Sequence, residues 1–176
     1  MSSFTSPPRA YLSRIGREER VWLGFAVVWC LILFAVMYVW QAYGSQATPI
    51  ESYRIEPSEF RTLADRYVEE NRVGEEAGIP IAVPNEEGEA YLVARAFRFD
   101  PILRIRTGET VRIYLSSLDV QHGLSIQPSN LNFQVLPGYV YVVTLTPEKP
   151  GEYGLVCNEY CGAGHHLMTG RIVVVD

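Results

Sequence analysis

The sequence predicts a mainly β domain, a Greek-key β-sandwich or barrel, preceded by one transmembrane α-helix. Two observations carry this prediction: a run of twenty apolar residues near the N-terminus and about seven short β-type segments after residue 90. A chain of 176 residues has room for about one domain with an appendage. Its formal net charge of −5 argues against nucleic-acid binding, which normally needs a basic face.

The predicted transmembrane helix covers residues 21–43. Its first twenty residues, VWLGFAVVWCLILFAVMYVW, contain no charge and no proline. Twenty helical residues rise about 30 Å, which matches the hydrocarbon thickness of a bilayer. Trp22 and Trp40 stand near the two ends of this run, where interfacial aromatic residues belong.

The alternative for this segment is a cleaved signal peptide with an exit site between Ala42 and Ala47. Apolar cores of signal peptides usually have about 7–15 residues, and this run is longer. The preceding segment, residues 1–20, carries four arginines: Arg9, Arg14, Arg17 and Arg20. The positive-inside rule therefore places residues 1–20 in the cytoplasm and everything after about residue 44 on the outer or periplasmic face.

Residues 44–89 form an acidic linker, with eleven acidic residues against four arginines. Within it, PSEFRTLADRYVEENR predicts a short helix that Ser58 caps, with Glu59 in the first turn. The apolar residues at helical spacing are Phe60, Leu63, Ala64, Tyr67 and Val68. We expect this face to pack on the neighbouring domain, and contact with a membrane partner is the alternative.

Residues 90–176 read as short strands separated by turn-forming clusters such as TGE, QPSN and LPG. In LRIRTGETVRIYL, Leu103 and Ile105 alternate with Arg104 and Arg106, as in a strand with one buried face. About seven such strands predict an antiparallel β-sandwich or Greek-key barrel.

Sulfur and imidazole donors crowd into one loop near the C-terminus, VCNEYCGAGHHLMTG. It contains Cys157, Cys161, His165 and Met168. Thiolates and thioethers are soft ligands that suit copper, and imidazole suits copper, zinc and iron. The further donor is His122 in SSLDVQHGLSI, which only the folded domain could bring close to the loop.

The same residues also allow simpler interpretations. Cys157 and Cys161 could form a disulfide, or a zinc site could use two cysteines and two histidines. Met168 alone would suit a hydrophobic core, and His166 would suit a solvated loop. Asp119, three residues before His122, is either a second-sphere acceptor that orients the histidine or a solvated turn residue.

The stretch CNEYCGAGHHLM, with DVQHGL upstream and GRIVVV downstream, resembles the binuclear copper (CuA) loop of cytochrome c oxidase subunit II. The likeness covers the apolar helix and the domain from about residue 90 to the end, for which it implies a cupredoxin-like fold. Because the chain has one hydrophobic span and not a two-helix hairpin, it is similar to the short subunit II of B-type haem-copper oxidases.

The resemblance implies two copper ions and six ligands: His122, Cys157, Glu159 through its backbone carbonyl, Cys161, His165 and Met168. Both sulfurs would bridge the ions; His122 and Met168 would complete one ion, His165 and Glu159 the other. The Glu159 carboxylate matches a position that can bind magnesium at the subunit I interface. The tryptophan-rich entry stretch of the common type is absent, and Phe97 and Phe99 occupy the comparable strand without an assigned role.

The resemblance also implies a role for the chain: a non-catalytic electron-entry subunit of a proton-pumping oxidase in the cell membrane. Electrons would pass from a c-type cytochrome to haem in subunit I, where oxygen is reduced to water, with room for small accessory subunits. The acidic linker could steer a basic donor. A quinol oxidase subunit lacks the copper ligands, and a nitrous-oxide reductase needs a longer chain. A membrane-tethered copper carrier or sensor stays the alternative.

Overall fold

The computed structural model describes residues 15–44, 51–129 and 131–176. The predicted cytoplasmic segment up to residue 14, with Arg9 and Arg14, lies outside this description, as do residues 45–50. The chain divides into two compact units between Gln46 and Ala47.

The first unit contains helix α1, Arg17–Tyr43, which includes the whole predicted apolar run. None of its residues is buried, and its most apolar window has a mean hydropathy of 2.4. Among the described residues this is the one helix that is long and apolar enough to cross a membrane.

The second unit is a curled sheet of twelve strands with one helix packed on it. Its elements are β1 Glu51–Arg54, α2 Pro57–Asn71, β2 Arg72–Glu76, β3 Ile79–Ala82, β4 Glu89–Arg95, β5 Arg98–Asp100, β6 Ile102–Arg106, β7 Val111–Ser117, β8 His122–Gln127, β9 Leu131–Val135, β10 Tyr139–Leu145, β11 Gly151–Val156 and β12 Thr169–Val175. This architecture confirms the predicted mainly β fold, which in the described part of the chain follows one apolar helix, α1.

The sheet is mixed, whereas the sequence suggested an antiparallel one. Its main path runs β1-β10-β7-β4-β5-β12-β11-β8-β9, and β4–β7 and β6–β12 are parallel pairs. Parallel neighbours need a crossover connection, and the intervening strands supply it. The predicted alternation in β6 is confirmed, because Leu103 and Ile105 are buried while Arg104 and Arg106 are exposed.

Helix α2 confirms the predicted helix and its apolar face. Phe60, Ala64 and Tyr67 are buried against the sheet, and the Tyr67 hydroxyl donates to the Val83 carbonyl over 2.8 Å. The predicted cap by Ser58 is wrong, because the helix begins at Pro57, a residue that suits the first helical position. Strands β1 and β3, from the same acidic segment, pair with β10 and β6.

Three strand ends meet at one edge of the sheet. Strand β11 pairs antiparallel with both β8 and β12, so its C-terminal end lies beside the beginnings of the other two. The ladder joins Val156 to Ser125 on one side and to Thr169 on the other. The sulfur- and imidazole-rich loop therefore starts and ends at this edge, next to the first residue of β8.

Candidate metal centre

Three of the predicted ligands lie in the protein interior at strand ends. His122 is the first residue of β8 and is completely buried. Cys157 follows β11 with 5% of its surface exposed, and Met168 precedes β12 with 1% exposed. Strand ladders on both sides fix the backbone at these positions, so their side chains have little freedom to move.

The loop between Cys157 and Met168 is closed by hydrogen bonds of its own backbone. The Cys157 N–H donates to the Met168 carbonyl over 3.2 Å, which extends the β11–β12 ladder by one step. A 3₁₀ helix, His165–Leu167, follows the glycine-rich turn, and the His165 N–H donates to the Gly162 carbonyl over 3.1 Å. The loop therefore folds back so that His165 returns towards Cys161.

The donor atoms converge around the two thiols. The Cys157 and Cys161 sulfurs are 3.8 Å apart, so they are separate thiols and no disulfide joins them. Cys157 Sγ lies 4.0 Å from His122 Nδ1 and 3.3 Å from the Glu159 carbonyl oxygen. Cys161 Sγ lies 3.6 Å from His165 Nδ1 and 3.6 Å from Met168 Sδ.

These spacings suit a metal site. Two donors on one ion with bonds of about 2.0–2.3 Å in a tetrahedral arrangement lie about 3.3–3.8 Å from each other. The ligand atoms of His122, Cys157 and Cys161 all lie within 4.8 Å of one another. The residues present therefore fit a copper ion, because soft sulfur and imidazole donors already face a common space.

Asp119 holds the ring of His122. Its Oδ1 lies 2.8 Å from His122 Nε2, and its Oδ2 accepts the Ala96 N–H over 2.7 Å. A carboxylate at Nε2 places the ring proton there, which leaves the Nδ1 lone pair directed to the sulfurs. Burial alone would raise the pKa of Asp119, but hydrogen bonds from the Ala96 N–H, His122 and the Val120 N–H outweigh it and hold that pKa below its ordinary value.

The half-buried Cys161 thiol is a weak acid in the absence of metal. Burial, together with the hydrogen bond to Cys157 and the nearby charge of that residue, raises the pKa of Cys161 to about 11. The thiol therefore keeps its proton near neutral pH, and a metal that binds it must displace that proton.

A glycine next to His122 lets the loop approach the sheet. A Cβ atom at Gly123 would lie 2.8 Å from Glu159 Cγ and 2.9 Å from the Glu159 backbone nitrogen, and would also collide with the Asn158 side chain. The first half of the loop therefore lies directly on the backbone of β8. Sequence patterns gave no signal for this contact, since the two segments are far apart along the chain.

The other residues discussed from the sequence contribute no side-chain donor to this cluster. His166 is exposed beside His165, and Cys30 is exposed on α1. The Glu159 carboxylate accepts one long hydrogen bond, from Gln134 Nε2 at 3.4 Å. Phe97, which had no assigned role, packs on the ligand loop.

The curled sheet and the converging sulfur and imidazole donors define a cupredoxin-like domain with a candidate copper site. A crystal structure of a rusticyanin variant shares this fold, with a TM-score of 0.51 and 16% identity over 70% of this chain and 97% of the rusticyanin. The family described as cytochrome c oxidase subunit II, periplasmic domain, matches residues 82–175.

Two further comparisons extend over nearly the whole chain. It is 30% identical to cytochrome c oxidase subunit 2 of Thermus thermophilus over 161 residues, 90% of this chain and 92% of that protein. It is 29% identical to a chain in the cryo-EM structure of a heme-copper terminal oxidase dimer, covering 90% of this chain and 99% of that one with a TM-score of 0.57. The chain belongs to the cytochrome c oxidase subunit II family.

Membership makes the chain a subunit of a haem-copper oxidase, an oxidoreductase complex, and implies a subunit I partner. The match to a periplasmic domain, together with one apolar N-terminal helix, indicates a single-pass membrane protein whose C-terminal domain lies outside the cytoplasm.

Proposed function

We propose that this chain is the electron-entry subunit of a terminal respiratory oxidase and holds a binuclear CuA centre. Its ligands are His122, Cys157, the Glu159 carbonyl oxygen, Cys161, His165 and Met168. Bound copper would supply a one-electron relay between a donor on the outer face and haem in subunit I.

The observation that carries the proposal is the pair of free thiols with separate further donors. Cys157 and Cys161 are 3.8 Å apart, and each sulfur has an imidazole nitrogen within 4.0 Å. With the Glu159 carbonyl and Met168 the cluster offers six donor atoms, more than the four that one tetrahedral ion uses. Two sulfurs with four further donors around them would suit two ions better than one.

The protein contributes rigidity and a dry environment to this role. His122 and Met168 are held in the core, so their donor atoms need little rearrangement when an electron arrives or leaves. Asp119 fixes the His122 ring with Nδ1 towards the sulfurs. The chain itself performs no bond-making step, which makes it a non-catalytic subunit of an oxidase that reduces oxygen to water and pumps protons.

Family membership and the arginine-rich N-terminal segment support a proposal for partners and placement. We place residues 1–20 in the cytoplasm, the helix in the cell membrane beside subunit I, and the β-domain on the periplasmic face. The proposed donor is a c-type cytochrome, and small accessory subunits complete the assembly. The Glu159 carboxylate, with one long hydrogen bond, is available to a magnesium ion at the subunit I interface.

Copper loading of the reduced full-length chain in detergent tests the proposal. We expect two copper ions per chain and an EPR hyperfine pattern of one unpaired electron shared by two copper nuclei. One ion per chain, or the pattern of a single copper nucleus, would contradict the binuclear site.

Co-purification separates the oxidase role from that of a membrane-tethered copper carrier or sensor. An oxidase subunit is expected to co-purify with a haem-bearing partner in mild detergent. A carrier or sensor would be recovered with copper and without haem.

A further inference from the structure

The turn between β4 and β5 lies on the ligand loop, although more than sixty residues separate them in sequence. The ring of Phe97 covers the two loop glycines. A Cβ atom at Gly162 would lie 3.2 Å from Phe97 Cε1, and one at Gly164 would lie 2.6 and 2.7 Å from Phe97 Cγ and Cε2. The ring therefore occupies the space that side chains at both positions would fill.

Two carboxylates hold this turn in place. Asp100 accepts hydrogen bonds from Arg95 Nε and Nη2 over 3.0 and 2.7 Å and lies 3.1 Å from Arg98 Nε, so it ties together the residues on both sides of the turn. Asp119 accepts the Ala96 N–H over 2.7 Å. Charge-assisted bonds of this kind are stronger than neutral ones. The backbone that carries Phe97 is thus fixed from two directions.

The carboxylate of Asp119 joins this turn to the metal centre. One of its oxygens holds Ala96 and the other contacts the ring of His122. Phe97 itself is not part of the core, since 38% of its surface is exposed. The backbone that carries the ring is fixed, one part of the ring packs on the loop glycines, and the rest is open to solvent. A ring held in this way can restrict the movement of the loop.

We propose that Phe97 is a positioning residue for the ligand loop. Its ring holds residues 162–164 against the domain and thereby fixes the separation of Cys161 and His165, the two donors that flank this stretch. The identity of the metal rests on the proposed function, whereas the contact between the ring and the loop does not.

The conformation of Gly164 allows a sharp test. Its φ of −93° and ψ of 10° suit alanine, and the three atoms nearest to a Cβ there all belong to the Phe97 ring, so Gly164→Ala should disturb the loop through collision with Phe97. Gly162 has a φ of 132°, so Gly162→Ala is strained whether or not the ring is present. Comparing alanine substitutions at the two glycines therefore distinguishes the effect of collision with the ring from the effect of backbone strain.

The measurement is the alkylation rate of Cys161 by iodoacetamide in the reduced, metal-free, full-length chain at fixed pH, resolved by mass spectrometry. We expect Gly164→Ala to raise this rate about tenfold, the size of an overpacking effect. Phe97→Ala should also raise it, and Gly164→Ala added to Phe97→Ala should have no further effect. Gly162→Ala should still have an effect in the Phe97→Ala background, because the strain of its backbone does not depend on the ring. The exposed Cys30 gives an internal reference.

Tyr53→Ala is the matched control, because Tyr53 is an aromatic residue of similar exposure, 42%, on the distant strand β1. It should leave the rate unchanged. If Phe97→Ala does not fold by circular dichroism, Phe97→Leu replaces it, with an intermediate effect expected. Equal effects of Gly164→Ala in both backgrounds, or no effect of either Phe97 variant, would overturn the proposal. Since no metal is present, neither result depends on the copper count.

Discussion

The two sides of the candidate metal centre differ in how the protein holds them. On the sheet side, His122, Cys157 and Met168 sit at strand ends in the core, with between 0% and 5% of their surfaces exposed. On the loop side, Cys161 and His165 are half-buried and depend on a short 3₁₀ helix and a glycine-rich turn. The sheet side is built by strand ladders and core packing, whereas the loop side depends on local hydrogen bonds and on the ring of Phe97.

Because of this difference, we expect the loss of a donor to have different effects on the two sides. Removing a sheet-side donor leaves a cavity or an unpaired polar group in the core, which reduces the free energy of unfolding even without metal. Removing a loop-side donor changes metal binding while the folded domain stays intact. Four experiments test this division, in order of decreasing effect.

The largest effect is expected from the cysteines. Cys157→Ser and Cys161→Ser should each abolish two-copper loading, because a hydroxyl is a poor bridging ligand for copper. Only Cys157→Ser should also lower the thermal midpoint of the metal-free chain, since Cys157 is buried. Cys30→Ser, in the apolar helix, is the control and should retain both ions. Equal midpoints for Cys157→Ser and Cys161→Ser would contradict the division into two sides.

The two histidines offer the next contrast. His122→Ala should cost about 2–4 kcal/mol of metal-free stability, because it leaves a cavity and removes the partner of Asp119. His165→Ala should cost less than about 1 kcal/mol, as expected for a half-buried loop residue. Denaturant unfolding of the reduced, metal-free chain in detergent measures both. A larger loss for His165→Ala would reverse the proposed division.

Asp119→Asn should weaken copper binding by about 10–100-fold, the usual cost of losing a residue that orients a metal-bound histidine. An amide oxygen can accept from Ala96 or from His122, but not from both as the carboxylate does. Competition with a copper chelator gives the affinity. Asp65→Asn, on the exposed face of α2, is the control. Unchanged affinity in Asp119→Asn would leave His122 oriented by packing alone.

Gly123→Ala should have the smallest effect, about tenfold in copper affinity, because the new methyl group pushes the loop away from β8. Gly154→Ala on the neighbouring strand β11 is the matched control, since a Cβ atom there meets nothing within 4 Å. If both variants bind copper equally well, the close contact between the loop and Gly123 is not needed for copper binding.

The sequence was most informative where the chemistry is local. The loop donors follow one another at short spacing: their residue types indicated a soft-metal site, and the resemblance of the whole motif implied copper. The apolar run of α1 and the alternation of buried and exposed residues in β6 were also predicted correctly from the sequence. Strands β1 and β2 were missed because ESYR and RVGEE are polar and charged, as edge strands often are.

Other features depend on contacts between distant segments and could not be predicted. The packing of Phe97 on Gly164, and of Gly123 on Asn158 and Glu159, depends on the curled sheet that brings these segments together. The cap assigned to Ser58 failed because Pro57 next to it suits the first helical position better. His122 was found because its residue type is rare in this chain, which has three histidines.

One hydrogen bond has a practical consequence. The bond from the Cys157 N–H to the Met168 carbonyl closes the ligand loop at its base, as the last rung of the β11–β12 ladder. Everything between these two residues is therefore a hairpin connection that could be exchanged as a cassette. Loops of other lengths grafted at this junction would change the set of metal ligands, while His122 would keep its place in the sheet.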